Sequence, residues 1–365
     1  MRVTILGAGA IALGTAALLV QGGHQVTLRS PSGTRARTIA RSGGFEATGA
    51  LEGRFEVTVA DTDAAAVKTA EVVVLALPGN GHRRVMDAIA PHLRADQTVI
   101  VSSQASFGAL YLDRLLKDRG LALPIVVWGT TVVTGRQTAD DAVLVNTVRA
   151  RLDVAAVPAD FGPQAVELCT RLFGDRFVPR ADLLAITLSN LNPQNHLGIA
   201  LLNLTRMERG ETWSQGENVT PAVGRILEAL DRERLAIADA LGLSVRTIFE
   251  HFHLSFHVPV ASVSQMNQQM HLEGRGGVGP ATADSRYVLE DVPFGLVPVA
   301  RLGRLVGRPA TLHEAGIALL SAAYGRDLEE DNDLLPVCGV EGLSIGDLRD
   351  LARRGAAPSR ARAIA

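Results

Sequence analysis

The sequence predicts an α/β protein in which a doubly wound parallel sheet is followed by a mostly α-helical second domain. In the first half of the 365 residues, short β-branched runs alternate with Ala-rich amphipathic segments, as in parallel strands joined by helices. After about Arg180 the pattern changes to long helical periodicities with few strand signals. We therefore expect a dinucleotide-binding domain over residues 1–180 and a helical substrate domain over residues 181–365.

The predicted strands of the first domain are short and apolar. The run VVVLALP is apolar at nearly every position, which is typical of a central strand buried on both faces. The segments that fit a strand are 2–6, 25–29, 55–60, 72–77, 98–102, 125–128, 142–148 and 151–157. A helix is predicted over residues 163–173.

The second half is predicted to be helical with two polar loops. Residues 181–207 fit one long helix interrupted near Pro193, and Thr220 with Pro221 forms an N-cap and first-turn pair for a helix to about Leu241. Residues 271–285 are Gly-rich and fit a loop. Helical patterns continue to Leu351, and the final segment RRGAAPSRARAIA is expected to fray.

Composition narrows the class of partner. The net charge of −2 gives no electrostatic footprint for nucleic acid or an anionic membrane, so small molecules are the expected partners. The two cysteines, Cys169 and Cys338, cannot form a disulfide framework, and no stretch reaches the roughly 18 apolar residues of a membrane span. These observations favour a cytoplasmic protein, and a homodimer is the assembly that we consider.

A glycine fingerprint follows the first predicted strand. Gly7-Ala8-Gly9-Ala10-Ile11-Ala12 comes directly after that strand and opens a predicted helix, as the G-x-G-x-x-G/A motif of a Rossmann-type dinucleotide site requires. The first glycine permits a tight turn and the second lets the backbone approach a pyrophosphate at the helix N-terminus. The structural alternative is that the glycines only shape a turn.

The end of the second strand bears on the choice of dinucleotide. An NAD site expects Asp or Glu about 20 residues past the fingerprint to bind the ribose 2′-OH, but here the strand ends TLRSPSGTRAR without an acid. Arg29 with Ser30, and also Arg35, would suit a 2′-phosphate, so we favour NADP over NAD. The alternative for Arg29 is a solvated strand end.

Two residues that close the fourth strand are further cofactor candidates. Leu77 and Pro78 fall at the carboxyl edge, where open sheets bind ligands, and could pack against the nicotinamide half of the cofactor. An ordinary strand stop is the alternative.

A histidine on the second-domain helix is the candidate acid/base group. Asn192 and His196 are four residues apart in SNLNPQNHLG and share a helix face within an apolar segment. Such a polar stripe is either an internal hydrogen-bond network or the wall of a cavity. Hydride transfer needs a group that donates or accepts a proton, and in many two-domain reductases a lysine does this. The only lysines, Lys68 and Lys117, lie in the first domain, so His196 is the remaining candidate.

A second polar stretch, SRYVLEDVPFG, begins at Ser285. Arg286 could clamp a carboxylate with two hydrogen bonds, while Asp291 could orient an imidazole and stabilise its protonated form. A surface ion pair of Arg286 with a nearby acid is the equal alternative.

Together these stretches resemble the opine dehydrogenases, the octopine and nopaline dehydrogenase family. NLNPQNH, the RYVLEDVPFGLVP segment about 90 residues further on, GAGAIALG, VVVLALPGNGHR and DLLPVCGVEGLSIGDL carry the resemblance across most of the chain. It implies that a 2-keto acid, pyruvate in most members, condenses with the amino group of an amino acid to an imine, which NADH or NADPH reduces. By position, His196 would be the acid/base residue, Asp291 its partner and Arg286 a carboxylate ligand. Asn192 and Asn195 would help to line the pocket.

Three other functions remain open at this stage. Another two-domain NADP reductase, of the ketopantoate or glycerol-phosphate type, is disfavoured by the absence of a second-domain lysine. A non-catalytic dinucleotide-binding protein would leave the His196 stripe purely structural. A metal site at His251, His253 and His257 is disfavoured because no single regular element aligns all three, so no metal is expected.

Overall fold

The structure, a computed structural model, describes residues 1–30 and 33–356. The strands are β1 Arg2–Leu6, β2 Gln25–Arg29, β3 Gly44–Gly49, β4 Gly53–Glu56, β5 Thr58–Val59, β6 Val72–Leu75, β7 Thr98–Val101, β8 Ile125–Trp128, β9 Val133–Ala139, β10 Ala142–Val148, β11 Leu152–Val157 and β12 Phe177–Pro179. Eight of them form the sheet that dominates the first half, in the order β12-β11-β8-β7-β6-β1-β2-β5.

The main sheet is parallel except for the antiparallel pair of β8 with β11. All four residues of β6 and of β8 are buried, in accord with their continuous apolar sequence. β1 pairs with β2 on one side and with β6 on the other, so the strand order reverses there. Ligands of doubly wound sheets bind at the carboxyl ends of the strands at such a point.

A second, four-stranded sheet in the order β4-β3-β10-β9 packs on the first helix, α1 (Ala10–Gln21). A Cβ on Gly14 of α1 would lie 2.8 Å from Cγ2 of Val133 in β9, so the contact is close. The predicted strand 55–60 is divided between the two sheets, since Gly53–Glu56 pairs with β3 and Thr58–Val59 pairs with β2. β3, β9 and β12 were not predicted.

The helices are α1, α2 Thr34–Ser42, α3 Asp63–Lys68, α4 His82–Ile89, α5 Gly108–Asp118, α6 Gly162–Phe173, α7 Leu183–Ser189, α8 Asn192–Leu202, α9 Leu204–Glu208, α10 Pro221–Ala240, α11 Ile248–Phe256, α12 Val263–Leu272, α13 Arg286–Leu289, α14 Val297–Leu305, α15 Thr311–Tyr324 and α16 Ile345–Arg354. A π-helical segment, Val292–Leu296, precedes α14. Over residues 1–30 and 33–356, no helix has both the length and the apolar character to cross a membrane.

The chain divides into two units, one made of residues 1–186, 337–339 and 346–365 and the other of 187–336 and 340–345. The predicted second domain, 181–365, therefore differs at the C-terminus, where the chain returns to the first unit. The backbone N–H of Ala356 donates to Asp113 at 2.6 Å, and Lys117 bonds the same carboxylate at 2.8 Å. The segment expected to fray begins inside α16, and residues 357–365 lie outside the described residues.

The predicted helix over 181–207 is three helices, α7, α8 and α9. Pro193 lies in the first turn of α8, where its missing N–H has no helical acceptor to lose, so it begins a helix rather than bending one. Pro221 begins α10 in the same way.

The loops around residues 214 and 278 meet in an isolated bridge between Ser214 and Val278.

Candidate active site

The glycine fingerprint joins β1 to α1 at the reversal of strand order. Gly7 has a φ of +140°, and a Cβ there would lie 2.3 Å from the carbonyl oxygen of Ala76, so the turn requires glycine. Gly9 caps α1 without a side-chain hydrogen bond, and in the described residues a Cβ on it would meet only the Arg35 guanidinium, at 4.0 Å. The N–H groups of residues 10–12 are thus approachable, which fits the pyrophosphate of a dinucleotide.

Arg29 ends β2 and is engaged by an acid that sequence reading missed. Its Nε donates to Oδ1 of Asp63, the first residue of α3, at 2.9 Å, and Nη2 donates to Oδ2 at 3.5 Å. The two side chains are 19% and 29% exposed, so solvent reaches both. Ser30 is buried, and the next two residues lie outside the described part of the chain. β2 has no acidic residue at its end, but the fold brings the carboxylate of Asp63, 34 residues further along the chain, to the same place.

The turn at Leu77 and Pro78 follows β6, which neighbours β1, so it lies at the same edge as the Gly7 loop. Pro78 is exposed and Leu77 is half-buried. The Leu77 carbonyl oxygen lies 3.0 Å from Nε2 of His82. Burial lowers the pKa of His82 to about 4, so the ring is neutral at pH 7 and its Nε2–H can donate to this carbonyl. The buried imidazole thus holds the turn at Leu77 and Pro78, the two cofactor candidates of this segment.

The second unit brings His196 and Asp291 together. Nδ1 of His196 lies 2.7 Å from Oδ2 of Asp291, although the two residues are 95 positions apart. The side chains are 15% and 10% exposed, so the pair is largely buried but reachable. Because Nδ1 is bound to the carboxylate, Nε2 is the ring nitrogen that can exchange a proton with a bound molecule.

Local backbone geometry positions Asp291. The residue stands between α13 and the π-helical segment that contains Pro293. The buried amide of Asn332 donates to the carbonyl oxygen of Pro293 at 2.7 Å, so the widened backbone turn is held by a side chain. Single π-helical turns are frequent at functional sites because they redirect the side chains beside them.

Arg286 lies on α13 one turn before Glu290, and the two form an ion pair with 3.3 Å between Nε and Oε2. The ion pair that the sequence left as the alternative is therefore present. The arginine side chain is 60% exposed, so its guanidinium stays accessible to a molecule in solution. A substrate carboxylate would have to compete with Glu290 for it.

Tyr287 is a site residue that sequence analysis did not consider. Its ring stacks on the imidazole of His196, with 3.5 Å between the centroids and 10° between the planes. A signal was present in the sequence, because Tyr287 precedes Asp291 by four residues and so shares its helix face.

The two asparagines proposed as pocket residues differ in their surroundings. Asn192 is half-buried at the start of α8, and its backbone N–H is capped by the side chain of Asn190 at 3.1 Å. Asn195 is 8% exposed, and its Oδ1 is a buried atom without a partner among the described residues. A buried amide oxygen without a partner is costly, so a donor supplied by a ligand would stabilise it.

A buried ion pair anchors the start of α8. Gln194 donates to Oδ1 of Asp231 at 2.9 Å, and the same oxygen accepts from Nη2 of Arg234 at 2.7 Å. Asp231 and Arg234 are 2% and 1% exposed. The carboxylate also accepts the backbone N–H of Ile248 at 2.9 Å, so one buried charge is shared by α8, α10 and α11. The glutamine in NPQNH is therefore a structural residue.

Glycines allow close packing around α8 on three sides. A Cβ on Gly295 would lie 2.3 Å from Pro193, and one on Gly316 would lie 2.7 Å from Leu197. Gly198, on α8 itself, leaves 2.5 Å between such a Cβ and Leu227. These distances are far below van der Waals contact. A side chain at Gly295 would press on the rigid ring of Pro193 and displace the helix that carries His196, whereas one at Gly198 or Gly316 would have to displace the end of a leucine side chain.

The remaining histidines have other surroundings. His313 also bonds a carboxylate, Glu233, at 2.9 Å, but it is only 1% exposed, and Glu233 also accepts the N–H groups at the start of α15. That pair caps a helix. His253 bonds the carbonyl oxygen of Val258 at 2.8 Å. In the described residues no three His, Cys, Asp or Glu side chains are grouped as a metal site.

The comparisons with known proteins match each unit. The family described as "NAD/NADP octopine/nopaline dehydrogenase, alpha-helical domain" matches residues 179–324, and the family "NADP oxidoreductase coenzyme F420-dependent" matches residues 2–105. An octopine dehydrogenase solved with NADH and L-arginine has a TM-score of 0.79 at 15% identity, covering 98% of this chain and 99% of its own. Yersinopine dehydrogenase with bound NADP⁺ has a TM-score of 0.73 at 17% identity, covering 97% and 98%. These structures are similar to this chain in fold.

One curated relative is similar enough to establish the family. The opine dehydrogenase of Arthrobacter sp. (strain 1C) is 32% identical over 288 residues, which are 78% of this chain and 79% of the relative. The helical-domain match covers the segment that carries His196 and Asp291, and the first unit has the fingerprint of a nicotinamide dinucleotide site. The chain belongs to the opine dehydrogenase family of NAD(P)-dependent oxidoreductases that act on CH–NH bonds.

Proposed function

We propose that this protein catalyses the reductive condensation of a 2-keto acid with the amino group of an amino acid, to give a secondary amine dicarboxylate. Pyruvate is the keto acid that we expect, and NADPH the preferred reductant. The observation that carries the proposal is the 2.7 Å contact between His196 and Asp291, which pairs a reachable imidazole with a carboxylate.

His196 would act as the acid/base residue in imine formation. When the amine adds to the keto carbon, a carbinolamine forms, and its hydroxyl group leaves as water only if it receives a proton. Protonated His196 would donate from Nε2 to that oxygen, or hold a proton at the imine nitrogen, while Asp291 stabilises the imidazolium. NADPH supplies the hydride for the imine carbon. The balance is keto acid, amino acid, NADPH and a proton to secondary amine, NADP⁺ and water.

Arg286 would bind a substrate carboxylate. Its guanidinium is exposed and has a planar fork of donors suited to two carboxylate oxygens, and it lies on the short helix that leads to Asp291. Asn195, whose buried Oδ1 has no partner among the described residues, and Asn192 are the other proposed pocket residues.

The preference for NADPH is proposed from the first unit. Arg29, Ser30 and Arg35 offer donors for a 2′-phosphate, and Gly7, Gly9 and the N-terminus of α1 fit the pyrophosphate. Asp63 qualifies the preference, because its carboxylate competes for Arg29 and could itself accept from a ribose 2′-OH. A cytoplasmic location and a homodimer stay predictions from the sequence.

The test is a panel of 2-keto acids against amino acids, in which NADPH oxidation is followed and the product is detected by mass. We expect oxidation that needs both substrates, and a product whose mass equals their sum minus one oxygen atom. Oxidation with the keto acid alone, giving a hydroxy acid, would favour the ketopantoate-type alternative, which the family membership already opposes. NADPH binding without oxidation in any combination would favour the non-catalytic alternative.

A further inference from the structure

Tyr287 contacts the proposed acid/base residue from a direction that Asp291 does not cover. Asp291 holds the edge of the imidazole at Nδ1, whereas the Tyr287 ring covers its face at 3.5 Å. Tyr287 lies on α13 and Asp291 follows it by four residues, so one short stretch of chain supplies both contacts. The hydrogen bond to Asp291 fixes the position of Nδ1, and the stacked ring restricts rotation of the imidazole about its Cβ–Cγ bond.

The other end of Tyr287 is also fixed. Its hydroxyl group donates to Oε1 of Gln215 at 2.7 Å. Burial, and then the charge of Asp291, raise the pKa of Tyr287 to about 12, so the phenol keeps its proton and remains a donor at neutral pH.

Gln215 is itself held by backbone hydrogen bonds. It lies on the loop 213–216, which pairs with the loop 276–279: the N–H of Gln215 donates to Gly277 at 3.1 Å and that of Gly216 to Gly276 at 2.8 Å. Trp213, on the same loop, donates its indole N–H to Pro280 at 3.0 Å. The paired loops therefore give the phenol a fixed acceptor.

We propose that Tyr287 is a positioning residue for His196 and that Gln215 positions Tyr287, so that the plane of the imidazole, and with it the direction of Nε2, is set before substrate binds. This inference rests on the proposed function for its effect on turnover. Its geometric part, the stack and the phenol–amide hydrogen bond, stands without it. When the imidazole of His196 carries a proton, the stacked phenol makes a cation–π contact with it.

The first experiment separates the ring from the hydroxyl. Tyr287→Leu should lower kcat about tenfold while the Kd of NADPH and the KM of both substrates change by less than about twofold, because a stacked aromatic pair and its cation–π part are lost. Tyr287→Phe and Gln215→Leu should each lower kcat by a few-fold, and the double variant should lower it no further, since both remove one hydrogen bond.

A matched control is Tyr324, the other tyrosine of the second unit. Its hydroxyl group donates to the carbonyl oxygen of Ala283 at 2.6 Å, and Tyr324→Leu removes a ring of the same size. We expect Tyr324→Leu to lower the melting temperature and to leave kcat within about twofold of the unmodified enzyme. An equal fall in kcat for Tyr324→Leu and Tyr287→Leu, or an unchanged kcat for Tyr287→Leu, would overturn the proposal.

The second experiment needs no turnover. In protein labelled at the histidine ring carbons, the His196 resonance, identified by its loss in His196→Gln, should show the ring-current shift of a stacked aromatic. Tyr287→Phe should keep that shift and Tyr287→Leu should abolish it. If the shift is present but no substrate pair consumes NADPH, the proposed function fails and the stack stands. If the shift is unchanged in Tyr287→Leu, the positioning role is wrong.

Discussion

Asp63 accepts a hydrogen bond from the guanidinium of Arg29, which ends β2, with 2.9 Å between Oδ1 and Nε. The arginine proposed for the 2′-phosphate of NADPH is therefore already paired with an acid. The affinity of Arg29 for that phosphate depends on the difference in free energy between its interaction with the phosphate and its interaction with Asp63. Either residue of the pair can be substituted separately.

Removal of the arginine should act on one dinucleotide. We expect Arg29→Ala to raise the Kd of NADPH roughly tenfold or more, because a charge-assisted contact with the 2′-phosphate is lost, and to change the Kd of NADH little. The measurement is titration of nucleotide fluorescence. The matched variant is Asp63→Asn, which releases Arg29 and should tighten NADPH. Equal losses for both nucleotides in Arg29→Ala would refute the 2′-phosphate assignment.

The histidine pair should control kcat rather than nucleotide affinity. His196→Ala is expected to lower kcat by roughly 10²–10⁴-fold, the usual contribution of a positioned acid or base. The Kd of NADPH should stay nearly constant, because His196 and the glycine fingerprint belong to different units. Asp291→Asn keeps the shape and removes the charge, so we expect a smaller fall. A normal kcat in His196→Ala would contradict the mechanism.

Arg286 should govern the binding of a substrate carboxylate. In Arg286→Leu the KM of the keto acid should rise, since the charged clamp is removed, with less effect on kcat. Glu290→Gln is the matched control: it frees the guanidinium from its partner and should leave that KM unchanged or lower. A KM that does not respond to Arg286→Leu would assign the arginine to its ion pair alone.

His82 predicts how the stability of the nucleotide-binding unit depends on pH. The pKa of this buried histidine is about 4, below the 6.5 of an exposed histidine, so the unfolded chain binds a proton at pH values at which the folded chain does not. Stability is therefore retained above pH 6.5 and lost as the pH falls towards 4. Between pH 7 and pH 5 the free energy of unfolding should fall by about 2 kcal/mol on account of this residue. Urea unfolding of His82→Gln should show a correspondingly weaker pH dependence, and an identical one would contradict the prediction.

The ion pair of Asp231 and Arg234 should matter more for stability than exposed pairs do. Arg234→Met leaves a buried carboxylate without its partner and should cost roughly 3–5 kcal/mol, whereas a second change, Asp231→Leu, should recover part of that loss. Arg304→Met breaks the exposed pair with Glu314 and should cost about 1 kcal/mol or less. Hydrogen exchange of α8 and α10 gives the local stability. Equal effects of the two arginine changes would show that burial does not decide the energy.

The main sheet was predictable because its central strands are continuous apolar runs. VVVL and IVVW are buried at every position, as their sequences indicate for strands covered on both faces. Two strands of the small sheet, β3 and β9, were missed because they are half-exposed: RQTA in β9 and TG in β3 mix polar residues with glycine. The local sequence pattern therefore predicts a strand well when the strand is buried and poorly when it is half-exposed.

The candidate site residues Arg286, Asp291 and His196 were singled out by residue type, and the resemblance to the opine dehydrogenases paired the last two. The structure places His196 and Asp291 in contact. Asp63 could not be paired with Arg29, nor Gln194 with Asp231, because no local period encodes a contact across 34 or 37 residues. Such pairings are set by the packing of whole elements.

The glycines around α8 limit the size of the residues that can replace them near His196. Gly295 and Gly316 leave no clearance on the neighbouring elements, and Gly198 leaves none on the helix itself. A smaller residue on α8 would create a void. A larger one at Gly295 would press on the Pro193 ring and shift the axis of the helix and the imidazole with it, whereas a larger one at Gly198 or Gly316 would displace a leucine side chain. Libraries that seek new substrates should therefore vary the exposed Arg286 face and keep these three positions fixed.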